Sequence, residues 1–247
     1  MAYIHRTIVA GPLVVETVYP AASSRDNDTV RRGKKALSTP ARQKMNLRHA
    51  WQSLEFEIAA NFGTGDLWVT FTYDDAHLPS SREQAKKQMA GFFRKLRDRR
   101  RRHNKELRYI YCTEHKHGDG RWHHHAVIDS TGNDFDEIRT LWIAGQIEIS
   151  KLRIDRERDY GAIARYMCKE QRDKIGHRLW TCSRNLQKPE RDSRHVSADI
   201  RIKIPRNALI LEDTGDTRTA YGHYQYVKYL LPGRSGVRVR VCSKRRR

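Results

Sequence analysis

Apolar and polar residues alternate in short blocks along this chain, and the period of alternation changes from block to block. Residues 3–19 alternate loosely around Gly11-Pro12, which predicts a strand hairpin. Residues 21–44 are polar and basic and read as a linker. From 45 to 60, Leu47, Trp51, Leu54 and Ile58 recur at helical spacing, and Gly63-Thr64-Gly65 ends that helix. Period two then returns. Leu67, Val69, Phe71 and Tyr73 share one face of a strand, with Trp68, Thr70 and Thr72 on the other. Ser80 and Glu83 form a capping-box pattern before a helix whose apolar stripe is Met89, Phe92, Phe93 and Leu96. Two strands follow, 107–114 and 121–129, joined by a loop containing Gly118-Asp119-Gly120. A helix near 135–144, a strand near 146–154 and a helix over 159–174 complete the series.

From 67 to 154 the order is β-α-β-β-α-β. That order predicts an α+β fold of the ferredoxin-like (RRM-like) type, an antiparallel sheet with helices on one face and an open face that can carry a site. Residues 1–44 then form an N-terminal hairpin and basic linker, 45–180 the main domain, and 181–247 a basic C-terminal extension. The extension contains a helix around Tyr221–Leu230 and a disordered end, Ser243-Lys244-Arg245-Arg246-Arg247.

Composition narrows the function classes. The chain of 247 residues carries 49 Lys+Arg against 29 Asp+Glu, a formal charge of +20. Such an excess answers a polyanion, either nucleic acid or an anionic membrane. No segment resembles a signal peptide, and no apolar stretch approaches the length of a bilayer span, so a membrane is the weaker reading. Cys112, Cys168, Cys182 and Cys242 are widely spaced without a C-x-x-C pair, which argues against a zinc ribbon or a disulfide framework and fits a reducing cytosol.

The run Arg121-Trp122-His123-His124-His125-Ala126-Val127-Ile128 carries the most chemistry. On a strand His123 and His125 point the same way, roughly 7 Å apart at the backbone, and His124 points the other way. Two imidazoles so placed can grip one divalent ion; the bland alternative is a histidine-rich strand without metal. If 107–114 pairs with 121–129 across a simple hairpin, Glu114 falls beside His123 and supplies a third ligand. A set of two imidazoles and a carboxylate suits Mn²⁺ or Mg²⁺, with Zn²⁺ less favoured. His115 and His117 in the loop are rival ligands, better read as facing solvent or DNA.

The segment Asp159–Glu170 reads as an amphipathic helix with Tyr160, Ile163, Ala164 and Met167 as its stripe. Tyr160 is then a core residue. Tyr166 lies beside the stripe, with Lys169 one turn onward on the same side. An ammonium there can stabilise phenolate charge or neutralise a phosphate. The bland alternative is a half-buried tyrosine beside a solvated lysine.

Three motifs in order resemble those of the HUH endonucleases. They are Trp68-Val69-Thr70-Phe71-Thr72-Tyr73, Gly120-Arg121-Trp122-His123-His124-His125 and Tyr166-Met167-Cys168-Lys169. The set is most similar to single-tyrosine rolling-circle replication initiators of phage and plasmid type, over roughly residues 1–190. His124, where the family carries a large apolar residue, and the long basic tail are departures. The resemblance implies a metal at His123, His125 and Glu114, a Tyr166 nucleophile assisted by Lys169, and a 5′-phosphotyrosyl link with a free 3′-hydroxyl. It implies single-stranded DNA or an origin hairpin as partner, held by Arg99, Arg100, Arg101, Arg102, Arg121 and Arg184. It also implies a bacterial host cytoplasm and a host polymerase. No G-x-x-x-x-G-K-[ST] is present, so a host helicase is expected to unwind the DNA. A transposase or relaxase of the same chemistry is the near alternative. A noncatalytic module that stacks bases on Tyr109, Tyr111 and Trp122 is the alternative of another class. A zinc hydrolase lacks its H-E-x-x-H motif.

Overall fold

The computed structural model describes residues 2–21, 40–115, 121–132, 134–154, 159–169, 178–220 and 222–233. At its centre lies the expected β-α-β-β-α-β unit: β3 (Leu67–Thr72), α2 (Arg82–Arg102), β4 (Tyr109–His115), β5 (Trp122–Ile128), α3 (Asp134–Leu141) and β6 (Ile147–Lys151). The strands lie in the order β6-β3-β5-β4, with the short β7 (Thr181–Cys182) added beside β4, and neighbours are antiparallel. This is the ferredoxin-like arrangement that the period changes predict.

Alternation along the strands divides the core. Leu67, Val69, Phe71, Tyr109, Tyr111, Ala126 and Ile128 pack against Met89, Phe92, Phe93 and Leu96 of α2 and Ile138 of α3. Ile110, Cys112 and Val127 face the other way, into a cluster with Leu54 and Ile58 of α1 (Pro40–Asn61) and Tyr160, Ala164 and Met167 of α4 (Tyr160–Met167). The second face is therefore not open along its length. Helices from outside the unit cover it, because its strands are apolar there and must be buried. The cap of α2 also sits one residue later than Ser80. Ser81 has the extended backbone of an N-cap and accepts from Gln84 N, while Ser80 donates to the Gln84 side chain.

Strands from the first and last parts of the described residues meet in a second sheet. Its order is β8 (Glu190–Val196), β1 (Tyr3–Ala10), β2 (Leu13–Pro20), β10 (Gly222–Leu230) and β9 (Leu209–Thr219). Gly11 turns the β1–β2 hairpin at φ 57°, a conformation open to glycine. The helix expected at Tyr221–Leu230 is corrected to a strand. Tyr224, Tyr226, Val227 and Tyr229 favour extended backbone, and β10 finds ladder partners on both sides, in β2 and β9. Ser243–Arg247 and the linker residues 22–39 lie outside the described residues. Among those described, no helix is long and apolar enough to cross a membrane.

Two clusters of buried charge among the described residues tie elements together. Lys228 of β10 is 7% exposed and pairs with Glu55 of α1 and, at 3.2 Å, with Asp159. Asp159 caps α4 by accepting from Ala162 N, so the C-terminal strand pins the start of that helix. Beneath α2, Arg100 is enclosed by Asp129, Asp134 and Glu137. Burial would raise the Asp134 pKa, but donors from Ser130, Thr131 and Gly132 outweigh it and hold the carboxyl below its ordinary value. A carboxyl depressed on folding contributes stability above its unfolded value, about 3.9, and loses it as pH falls through the folded value. Stability is therefore expected to fall on acidification below about pH 4, and Asp134→Asn to flatten that fall. Identical acid limbs for the two proteins in urea titrations would remove Asp134 from the account.

Candidate active site

The β4–β5 ladder sets Glu114 opposite His123 and Cys112 opposite His125. That is the register a simple hairpin predicts. Glu114, His123 and His125 share the face that carries α1 and α4, at the end the helices leave accessible. Thr70 and Thr72 of β3 lie opposite His125 and His123.

The geometry converges on His125. Its Nε2 is 3.0 Å from Glu114 Oε2, and its Nδ1 is 3.2 Å from Thr70 Oγ1. The Trp68 ring lies nearly parallel to the imidazole, 5.6 Å between centroids. Burial lowers the His125 pKa; Glu114 opposes that and the Lys169 ammonium adds to it.

The structure brings Tyr166 and Lys169 to the same place. The Tyr166 ring stands edge-on to His125 at 5.0 Å and to Trp68 at 5.7 Å, and the residue remains 44% exposed. Lys169 Nζ is 2.8 Å from Glu114 Oε1 and 4.0 Å from the centre of the Tyr166 ring. Burial works to lower the Lys169 pKa, but Glu114 and the Tyr166 phenol outweigh it, and the ammonium is favoured. Tyr166 owes its place to α4, whose buried stripe of Tyr160, Gly161, Ala164 and Met167 leaves Tyr166 on the rim.

Imidazole nitrogens and a carboxylate are donor types that a divalent ion could take. Ligands at about 2.1 Å and right angles around an octahedral ion are about 3.0 Å apart. His125 Nε2 and Glu114 Oε2 have that separation. Among the described residues no three His, Cys, Asp or Glu side chains converge tightly enough to hold an ion as they stand. His123 shares the face at the adjacent position.

His124 faces the opposite core, as alternation requires. It is fully buried, with Nε2 2.7 Å from the Tyr73 hydroxyl and Nδ1 3.0 Å from the Thr113 hydroxyl. Burial, reinforced by His125 and His123, pushes its pKa down to about 3. A neutral ring that donates once and accepts once satisfies both hydroxyls, which explains a polar residue at an apolar position. His115 alternates away from Glu114 and lies against Trp122. His117 falls outside the described residues.

The basic residues do not act as one group. Arg100 is corrected: it is 1% exposed and neutralised by three carboxylates, so it presents no charge to a partner. Arg99 leans toward Glu137 at 3.9 Å. Arg121 donates to the Tyr73 carbonyl at 3.1 Å and pairs with Asp75. Arg101, Arg102 and Arg184 are exposed. Of the three aromatics of the noncatalytic alternative, Tyr109 and Tyr111 are buried against Phe93 and only Trp122 is partly exposed. Trp68, which touches both His125 and Tyr166, was legible only as an outward strand residue. Pairing β3 with β5 is the signal that places it at the site.

Residues 66–171 match a family model of replication-associated proteins, the ORF2 type. The matched segment runs from the start of β3 past Lys169, so it takes in Glu114, the histidine strand and Tyr166. It is similar to proteins of DNA replication, consistent with a replication initiator. No curated protein matches the chain, and no solved structure does.

Proposed function

We propose that the chain is a metal-dependent DNA-nicking and -joining enzyme that initiates rolling-circle replication. The observation that carries this reading is the exposed Tyr166 ring set 5.0 Å from His125, with Lys169 and Glu114 beside it. An ion held by His123, His125 and Glu114 would polarise the scissile phosphate and stabilise the charge that develops on it. The Tyr166 oxygen attacks phosphorus in line as its proton departs. An O–P bond forms to tyrosine, the P–O3′ bond breaks, and the 3′-oxygen takes up a proton. Lys169 offers positive charge to the phenol oxygen and the phosphate. Because the phosphotyrosyl bond keeps the phosphodiester energy, a 3′-hydroxyl can attack it and rejoin the strand.

The reading is tested with labelled single-stranded DNA and Mn²⁺, resolved on a denaturing gel. Glu114→Ala, His123→Ala and His125→Ala are each expected to abolish cleavage while most DNA binding remains. His124→Ala is expected to cleave at low temperature, yet to lose roughly 2–4 kcal/mol of stability through a cavity and two stranded hydroxyls. Equal loss of cleavage at His124 and His125 in folded protein would defeat the assignment of faces. Full cleavage by Glu114→Ala and His125→Ala would defeat the metal assignment.

A further inference from the structure

A second cleft, of about 850 Å³, opens at the far end of β4. Arg97 and Arg101 line it from α2, Lys105 from the turn after that helix, and Arg184 from the segment after β7. Tyr109 and Ser183 line it too, joined by mutual hydrogen bonds between their backbones and the Ser183 hydroxyl. Glu106 is the single carboxylate among the lining residues, against four cations.

The contrast with Arg100 is informative. Arg100 has three carboxylates around it. Its neighbours on the cleft have none among the described residues: Arg97 donates to the Tyr109 hydroxyl at 3.4 Å and Lys105 to the Thr131 carbonyl at 3.2 Å. Arg101 and Arg184 are exposed and carry no ion pair among those residues. Cations near a helix C-terminus do complement its dipole, but only within the last turn. Arg184 comes from another element, so the dipole does not explain its place. Four like charges around one concavity repel, and spaced anions relieve that repulsion. Guanidinium groups grip phosphate oxygens in pairs, and a sugar–phosphate backbone presents such anions in series.

We infer that this cleft is a second DNA contact, one that holds the phosphodiester backbone away from the reacting phosphate. Tyr109 and Glu114 lie five residues apart on β4, about 17 Å at strand rise. The cleft and the tyrosine therefore engage different nucleotides of one substrate. The inference rests on the DNA-nicking reading for its ligand; beyond the expected DNA contacts of Arg101 and Arg184 it joins them with Arg97 and Lys105 in one cleft apart from the reacting phosphate.

The test compares the full-length Arg101→Ala/Arg184→Ala double variant with an Arg94→Ala/Lys95→Ala control, which removes equal charge from exposed positions of α2 off the cleft. Binding to single-stranded and to hairpin oligonucleotides is measured across salt concentrations in the Tyr166→Phe background. Loss of two phosphate contacts should weaken binding about tenfold or more near physiological salt and lower the log–log slope by about 1.5. The control should change it less. In parallel, exposed Cys182 on the cleft should be shielded from alkylation by bound DNA, read on its own peptide by mass spectrometry. A loss confined to one substrate supports the cleft and says which form of DNA it holds. Equal slopes for double variant and control, with Cys182 unshielded, overturn the inference even where the protein nicks DNA. Cleft-dependent binding without any nicking would retain the inference and reject the reading it started from.

Discussion

Tyr166→Phe is expected to form no covalent adduct with single-stranded DNA, a loss of about 10³-fold or more, while fold, metal binding and DNA affinity persist. The expectation rests on exposure. Tyr166 is 44% exposed beside His125 and Lys169, and the substitution removes one oxygen from a rim position. The other tyrosines are poorly suited. Tyr160 is fully buried, and burial pushes its pKa up. Tyr226 is likewise raised by burial, and Tyr229 is committed to Glu16 at 2.8 Å. Tyr160→Phe should keep forming adduct. It should also gain stability, because the buried Tyr160 hydroxyl has no hydrogen-bond partner among the described residues, an arrangement that costs about 1–3 kcal/mol. Peptide mapping of the adduct decides the matter: a phosphotyrosine on Tyr160, Tyr226 or Tyr229 would move the nucleophile elsewhere.

The largest loss of stability should come from a residue that sequence reading assigned to DNA. Arg100→Ala is expected to cost about 3–5 kcal/mol, since it leaves buried carboxylates without their cation. The guanidinium donates to Asp129 Oδ1 at 2.6 Å, to the Asp129 carbonyl at 2.9 Å, to Asp134 at 3.0 Å and to Glu137 at 3.3 Å. A lysine offers one point charge and cannot reproduce that fork, so Arg100→Lys should recover little. Arg101→Ala, one residue on and exposed, should stay within about 0.5 kcal/mol of the parent. Urea midpoints measure all three. A cost below about 1 kcal/mol for Arg100→Ala would mean the acidic cluster finds solvent or protons instead.

The contrast shows what one-dimensional patterns carry. Alternation is local, so the faces of β3, β4 and β5 could be read directly, whereas the Glu114–His123 register followed only on the assumption of a simple hairpin, which the β4–β5 ladder bears out. Helical spacing likewise put Tyr160 in the core and Tyr166 on the rim. What failed depended on partners remote in sequence. A run of six residues holding five arginines looks uniformly solvated, yet Arg100 is turned inward by Asp129, Asp134 and Glu137, about 30–40 residues away. For Tyr221–Leu230 only one strand partner, β9, lies next to it in sequence; the other, β2, lies near the start of the chain. The cover over the second sheet face was equally hidden, since α1 and α4 flank the unit that they complete.

The ladder between β2 and β10 also has a consequence in time. Synthesis runs from the N-terminus, so β1 and β2 leave the ribosome among the first residues, whereas their neighbour β10 comes among the last of the described ones. Until residue 228 is made, Glu55 and Asp159 have no lysine between them, and the start of the tyrosine-bearing helix lacks its anchor. Closure of so long-range a sheet is slow and comes late. A chain interrupted before β10 would thus carry every residue of the candidate site, yet hold the tyrosine on a helix whose first turn lacks its ion pair.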